Sequence, residues 1–132
     1  MTAMSTELPQ TLQLNPTLSR WIGFDIEGVV TMRSGKVELG QGILTAIAQI
    51  AAEELDVDYS RIRPAKVDTR VSPNELSTTG SRSIQEGGEG MRQACAEIRA
   101  LFVEAASRSL GVAAESIVVE DGVFRSPQCD HE

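Results

Sequence analysis

Apolar residues recur at helical spacing in two long stretches of the chain, and each stretch predicts an amphipathic helix. In the first stretch, the apolar residues follow the i, i+3, i+4, i+7 pattern from Ile43 to Leu55, and Glu53, Glu54 and Asp56 close it. This stripe comprises Ile43, Ala46, Ile47, Ile50, Ala51 and Leu55.

The second stripe follows a glycine-rich segment and ends at Leu110-Gly111, where glycine can adopt the left-handed conformation that terminates helices. Ahead of it, Ser83-Ile84-Gln85-Glu86 fits the S-x-x-E capping box, so we expect the Ser83 hydroxyl to accept the Glu86 N–H. The stripe comprises Met91, Ala94, Cys95, Ile98, Leu101, Phe102 and Ala105.

Short alternating segments predict the strands. Residues 21–28 (WIGFDIEG) turn at Glu27-Gly28 into residues 29–39 (VVTMRSGKVEL), which predicts a hairpin. Residues 61–69 (RIRPAKVDT) also alternate, but Pro64 assigns them to a sheet edge. A last hairpin, residues 116–126, turns at Asp121-Gly122.

The order ββαβαββ predicts an α+β fold with two layers, in which one mixed sheet carries both long helices on one face. The 132 residues suffice for one domain. We expect a flexible lead-in at residues 1–19, the α+β domain at residues 20–126 and a polar tail at residues 127–132. Residues 55–62 (LDVDYSRI) and 110–117 (LGVAAESI) share Leu, Val and Ile, a weak internal repeat that either duplication or convergence explains.

The net charge of the chain argues against two classes of binding partner. A net charge of −7 repels phosphate backbones and anionic lipids, so nucleic acid and membrane partners are poor hypotheses. No run approaches the ~18 apolar residues of a membrane span, and the first twenty residues lack an export signal, so we expect a cytoplasmic protein.

Cysteine and histidine usage excludes several kinds of catalytic site. Cys95 and Cys129 form no C-x-x-C motif and suggest reduced thiols. With His131 as the only histidine, histidine metal sites and Ser-His or Cys-His catalysis are nearly excluded.

Gly40-Gln41-Gly42 lies where a strand passes into the first helix. Helix starts carry unpaired N–H groups and about half a positive charge, which suit phosphate and oxo groups. Glycine permits close approach, and glutamine offers a donor and an acceptor. A tight turn with an exposed glutamine explains the motif equally simply.

The segment STTGSRS, residues 77–83, leads into the second helix. Five hydroxyls and Arg82 could present donors to an anionic ligand, whereas a solvated loop ending in a Ser83 cap needs no ligand. Because each of these two loops enters a long helix, we expect them to approach one another.

Other candidates are weaker. Asp56, Asp58 and Asp68 lack metal-loop spacing and fit a solvated face. Cys95 lies on the apolar stripe and fits a core thiol.

Two segments carry a family resemblance, GKVELGQGILTAIAQIAAEELDV and, after a strand, STTGSRSIQEGGEGMRQACAEIR. In content and order they resemble the molybdenum-binding subunit of the xanthine dehydrogenase/aldehyde oxidase family, especially bacterial isoquinoline 1-oxidoreductase-like large subunits. The resemblance spans residues 18–124.

The resemblance implies molybdopterin as cofactor, possibly in its cytosine dinucleotide form. It places Gly40, Gln41 and Gly42 against the dithiolene or phosphate-bearing ligand. It also places a later loop against the pterin, in positions held here by Gly80, Ser81, Arg82 and Ser83.

The family's subunit is several times longer than this chain. Its G-G-F-G loop and its late G-x-G-E segment with the catalytic glutamate are absent here, and two distant cysteines cannot hold an iron–sulfur cluster. No catalytic residue is therefore predicted. The remaining molybdenum-subunit domains or a 2Fe–2S subunit would be the partners.

The leading hypothesis is a cofactor-binding piece of a molybdenum hydroxylase-type oxidoreductase, which would hydroxylate aldehydes or N-heterocycles and is incomplete alone. One alternative is a non-catalytic module that retains the fold and forms homo-oligomers through exposed apolar surface. A third hypothesis is a domain that binds a small phosphorylated metabolite at the two helix starts.

Overall fold

A computed structural model describes residues 7–129 of the chain. It contains three α-helices, α1 (Gln10–Leu14), α2 (Ile43–Leu55) and α3 (Glu89–Leu110). The five strands are β1 (Ile22–Phe24), β2 (Val30–Met32), β3 (Ile62–Pro64), β4 (Val118–Glu120) and β5 (Val123–Arg125). Among residues 7–129, no helix is long and apolar enough to cross a membrane.

The strands form two sheets rather than the single predicted one. In the first, β1 pairs antiparallel with β2 and β3 pairs parallel with β2, so Pro64 lies on an edge strand as expected. The β4–β5 hairpin stands apart because its strands pair with each other across the Asp121-Gly122 turn. Arg61 joins this turn to the first sheet, donating to Asp121 Oδ1 at 3.0 Å and to the Gly28 carbonyl at 2.8 Å.

The α+β class is confirmed, and so is the predicted order ββαβαββ for the helices and strands that follow α1. Helices α2 and α3 pack on each other, and α2 also packs on β3. Their shared core is mostly aliphatic: Leu12, Trp21, Ile22, Val30, Met32, Ile43, Ile47, Ala48, Ala51, Ala52, Leu55, Ile62, Met91, Ala94, Cys95 and Ile98.

The stripe of α3 is buried only in its first half. Met91, Cys95 and Ile98 lie in the core, whereas Leu101 and Phe102 are 53% and 40% exposed. The C-terminal half of α3 therefore extends beyond the cover that α2 provides.

The first described residues are not a featureless lead-in, because α1 packs on the core through Thr11 and Leu12. Asn15 pairs with Asn74 in both directions: its Nδ2 donates to the Asn74 carbonyl at 2.9 Å and its Oδ1 accepts the Asn74 N–H at 2.7 Å. The Asn15 carbonyl also accepts the indole N–H of the fully buried Trp21 at 2.9 Å. A flexible lead-in is thus wrong for residues 10–15, while residues 1–6 lie outside the described range.

The weak sequence repeat has a structural counterpart. Both α2 and α3 end on a left-handed residue, Asp56 (φ 52°) or Gly111 (φ 68°), followed by the 3-10 turns Tyr59–Arg61 and Ala114–Ser116. Each turn delivers an isoleucine in extended conformation to the next strand. The shared Leu, Val and Ile therefore mark one helix-to-strand connection that is used twice.

Candidate functional site

The GQG loop, residues 37–42, is exposed and leads into α2. Gly40 (φ 92°) and Gly42 (φ 77°) both adopt the left-handed backbone, which disfavours other residues. A Cβ built on either glycine would meet no heavy atom within 4 Å, so there is room for a ligand beside both.

Glu38 caps this loop, a contact that the sequence did not indicate. Its Oε1 accepts the N–H groups of Gly40 and Gly42 at 2.9 Å, and its Oε2 accepts that of Leu44 at 3.1 Å. These bonds, chiefly those from Gly42 and Leu44, lower the pKa of Glu38. The N–H groups expected to be free for an anion are thus already bonded to a carboxylate, and a ligand can use them only if Glu38 moves.

Gln41 folds back onto its own loop. Its Oε1 accepts the Leu39 N–H, and its Nε2 donates to the Val37 carbonyl at 2.9 Å. The amide nevertheless stays exposed, and both hydrogen bonds are to groups that face solvent. Gln41 can therefore exchange them for contacts with a ligand.

The GSRS loop, residues 77–83, contains two consecutive left-handed residues, Gly80 (φ 63°) and Ser81 (φ 56°). Positive φ is uncommon outside glycine. The side chain of Arg82 is 66% exposed, and its Nη1 lies 3.9 Å from Glu86 Oε1, so the guanidinium donors remain available to a ligand.

The predicted capping box is wrong. Ser83 begins a π-helical segment, Ser83–Gly88, in which no side chain caps the start, and the Glu86 N–H donates to the Arg82 carbonyl at 2.8 Å. Single turns of π-helix occur mostly inside or beside α-helices and frequently at functional sites. The wider turn replaces the serine cap and leaves the Ser83 hydroxyl at the loop.

The two loops are neighbours, as the sequence led us to expect. The Val37 N–H of the GQG loop donates to Thr78 Oγ1 of the GSRS loop at 2.9 Å. The cofactor residues implied by the resemblance, Gly40 to Gly42 and Gly80 to Ser83, therefore belong to two connected and exposed loops.

A buried ionisable pair lies beneath them, and sequence reasoning missed it. Lys36 and Glu75 are 0% and 1% exposed. Lys36 Nζ donates to the carbonyls of Glu75 at 2.8 Å and Ser77 at 3.2 Å. Glu75 Oε2 accepts from the Ser34 hydroxyl and the Gly35 N–H, both at 2.6 Å.

Burial raises the pKa of Glu75, an effect that the Ser34 hydroxyl and the Gly35 N–H partly offset. The second oxygen, Oε1, is buried without a hydrogen-bond partner among residues 7–129. Lys36 lies in the alternating segment 29–39 and Glu75 lies just before the STTGSRS segment, and no local pattern marks contacts that span about forty residues.

The weaker candidates do not form a site. Burial raises the pKa of Cys95 to about 12, and its Sγ lies 3.7 Å from Met91 Sδ, as expected of a core thiol. Asp68 pairs with Arg70 at 2.8 Å. Within the described range, no three acidic, cysteine or histidine side chains are grouped to hold a metal, and His131 lies outside that range.

These loops fit an anionic, phosphate-bearing organic cofactor better than a bare metal ion. They offer space beside two glycines, an exposed amide, an exposed guanidinium and hydroxyls, but no cluster of metal ligands among residues 7–129. Hydroxyl, amide and guanidinium groups are donors suited to phosphate oxygens and thiolate sulfur.

Comparison with known proteins identifies a family whose model matches the part of the chain that contains both loops. A family model described as a molybdopterin cofactor-binding domain matches residues 2–131. The chain is 35% identical over 105 residues to a nicotinate dehydrogenase chain of Pseudomonas putida, covering 80% of this chain and 9% of that protein. It is 33% identical over 129 residues to the beta chain of isoquinoline 1-oxidoreductase of Brevundimonas diminuta, covering 92% of this chain and 16% of that protein.

A solved structure shows the same fold. Reconstituted CO dehydrogenase from Oligotropha carboxidovorans superposes with a TM-score of 0.71 and 31% identity, covering 80% of this chain and 13% of that one. The chain thus spans less than a fifth of the length of these relatives.

Proposed function

The chain belongs to the family of molybdopterin cofactor-binding domains, and on that basis we propose that its GQG and GSRS loops form one wall of a pterin site in a molybdenum hydroxylase-type oxidoreductase. The observation that carries this proposal is the hydrogen bond from Val37 to Thr78, which joins the two exposed loops into one surface. Neither loop alone would enclose a ligand.

In this proposal the residues of the chain bind and orient the cofactor. Gly40 and Gly42 leave space for close approach, Gln41 offers its amide, and Arg82 offers a guanidinium to a phosphate or thiolate. Gly80, Ser81 and Ser83 supply backbone and hydroxyl groups on the facing loop. The bound cofactor would supply the redox centre at which an aldehyde or N-heterocycle is hydroxylated.

No residue of the chain is proposed as catalytic. The family's catalytic glutamate segment has no counterpart here, and the two free cysteines, one buried and one exposed, cannot bind a cluster. We therefore propose that further molybdenum-subunit domains and a 2Fe–2S subunit complete the enzyme. A bacterial, cytoplasmic setting and a cytosine dinucleotide form of the cofactor remain predictions.

The apolar face supports such partners. We use this name for the surface formed by the exposed half of α3 with β1 and β5, where Phe102 stacks edge-on against Phe24 at 5.1 Å and lies 5.9 Å from Phe124. Its members are Leu18, Phe24, Leu101, Phe102, Ala105 and Phe124. Exposed apolar surface of this kind marks contacts with other polypeptide.

The test is the molybdenum and pterin content of the chain after purification from a host that makes the cofactor. We expect near-stoichiometric pterin in the wild type and its loss in Gln41→Ala. The control is Gln49→Ala, an exposed glutamine in the middle of α2, which should keep the wild-type content. A wild-type chain that carries no pterin would contradict the proposal.

A further inference from the structure

The buried pair of Lys36 and Glu75 connects the segments that lead into the two loops. Lys36 immediately precedes the GQG loop, and its ammonium group bonds the carbonyls of Glu75 and Ser77 at the entrance to the GSRS loop. Glu75 bonds in the opposite direction, to Ser34 and Gly35 just before Lys36. Each side chain thus holds the backbone next to the other, which makes the connection reciprocal.

The start of α3 also rests on this pair. A Cβ added at Gly87, in the π-helical segment, would lie 2.5 Å from Glu75 Oε1 and 3.2 Å from Lys36 Cε. Gly87 itself is buried. The π-helical segment that begins at Ser83 therefore packs directly against the side chains of Lys36 and Glu75. Its position depends on the shape and hydrogen bonding of these two side chains.

Few other contacts fix the two loops relative to one another. Residues 37–42 and 79–82 are all exposed, so they bury little apolar surface that could fix them. Between the two loops themselves, the described residues contribute the bond from Val37 to Thr78. The buried pair supplies four further bonds within three residues of that contact, two of them buried and two partly buried.

We propose that Lys36 and Glu75 are positioning residues of the cofactor site, which set the separation and orientation of the GQG and GSRS loops and touch no cofactor atom themselves. The inference rests on the proposed function for its link to the pterin. Its structural part concerns the loops alone and can be tested without any cofactor.

The decisive comparison is between two substitutions of nearly equal length at one position. Glu75→Gln keeps an oxygen that accepts from Ser34 and Gly35, whereas Glu75→Met fills similar space without an acceptor. A residue that only fills the core would tolerate both alike. A positioning residue is rescued by glutamine and not by methionine.

The first measurement is amide hydrogen exchange in the cofactor-free chain. For Glu75→Met we expect exchange to accelerate about tenfold or more at Val37, Gly42 and Leu44 while the β4–β5 hairpin is unchanged, because local opening need not involve the whole fold. Glu75→Gln should match the wild type. Loop exchange that is the same in both variants and in the wild type would overturn the inference.

The second measurement is pterin content in the cofactor-making host. We expect Glu75→Met to lose pterin and Glu75→Gln to keep near-wild-type pterin content. We also expect Lys36→Met to lose pterin and Lys36→Arg to keep it, since arginine keeps the charge and several donors. Lys66→Met, at an exposed lysine, is the control. Wild-type pterin content in both methionine variants would overturn the inference.

The outcomes separate the two claims. If the wild type carries no pterin, the proposed function fails and the exchange comparison alone decides whether the pair positions the loops. If Glu75→Met does not fold, the comparison of Lys36→Met with Lys36→Arg replaces the comparison at Glu75. Equal rates of loop amide exchange in those two variants would then overturn the inference.

Discussion

At the scale of single residues, the GQG loop depends on a side chain just outside its motif. Glu38 accepts three backbone N–H groups at the start of α2, where the helix carries partial positive charge. The motif residues Gly40 and Gly42 allow the turn, and Glu38 holds it closed.

We expect Glu38→Gln to loosen this start, because an amide offers one acceptor oxygen without charge where the carboxylate offers two. Amide exchange at Gly42 and Leu44 should become several-fold faster. The matched control is Glu53→Gln, an exposed glutamate at the other end of the same helix. Equal exchange in both variants would show that Glu38 does not secure the loop.

Glu75 should give the folding stability an unusual dependence on pH. Because burial raises its pKa in the folded chain, the unfolded chain loses this proton at lower pH, near the ordinary value of 4.5. Lys36 is the charged group that acts on it, and it opposes the shift. The contribution of Glu75 is therefore most favourable below pH 4.5 and declines as pH rises through the folded pKa.

Glu75→Gln removes this dependence. Urea unfolding between about pH 4 and pH 8 should show the free energy of unfolding of the variant gaining on that of the wild type as pH rises. Glu97→Gln, at an exposed position on α3, should run parallel to the wild type. A constant difference between Glu75→Gln and the wild type over this range would show that Glu75 ionises alike in both states.

At the scale of elements, the sequence predicted what local periodicity determines. The bounds of α2, the stop of α3 at Gly111 and the hairpin turn at Asp121-Gly122 all depend on residues a few positions apart. In the site, the glycine turns and the proximity of the two loops were likewise foreseeable.

What the sequence did not reveal depends on distant partners. Helix α1 is short and polar, and it is held by Asn15 against Asn74, 59 positions away. The Lys36–Glu75 pair spans 39 positions. The cap by Glu38 is local, but a glutamate before a G-x-G has many possible solvated roles. Polar contacts across the fold leave no period in the sequence.

The start of α3 offers a matched pair of substitutions. At Gly87 an added methyl would meet the buried carboxylate of Glu75 at 2.5 Å, whereas at Gly88 it would meet the end of the Ile50 side chain at 3.0 Å. We expect Gly87→Ala to lower the free energy of unfolding by about 1–3 kcal/mol, in the range of overpacked cores, and Gly88→Ala to cost less. Equal decreases in the free energy of unfolding, measured by chemical denaturation, would mean that the Glu75 carboxylate moves aside as easily as the Ile50 side chain.

At the scale of the whole molecule, the apolar face has no cover among residues 7–129. The aromatic cluster of Phe24, Phe102 and Phe124 would bury its exposed side against another polypeptide. In the absence of such a partner, we expect the face to associate with a second copy of the chain.

Phe102→Glu should therefore shift the chain toward the monomer, because it places a charge in the centre of this face. The solution mass by light scattering across a concentration series is the measurement. Val71→Glu, at a similarly exposed apolar residue in a loop outside the face, is the control. A wild type that stays monomeric at every concentration would contradict self-association.

Trp21 gives the chain a built-in optical probe. It is the only tryptophan of the chain, and it is fully buried. Its indole N–H donates to the Asn15 carbonyl, and its ring lies close to the backbone of α3 at Gly90. Its emission should be blue-shifted in the folded chain and should move to longer wavelength when α1 detaches. Because α1 also binds the segment leading to the GSRS loop through Asn74, one fluorescence spectrum reports on the packing that supports the site.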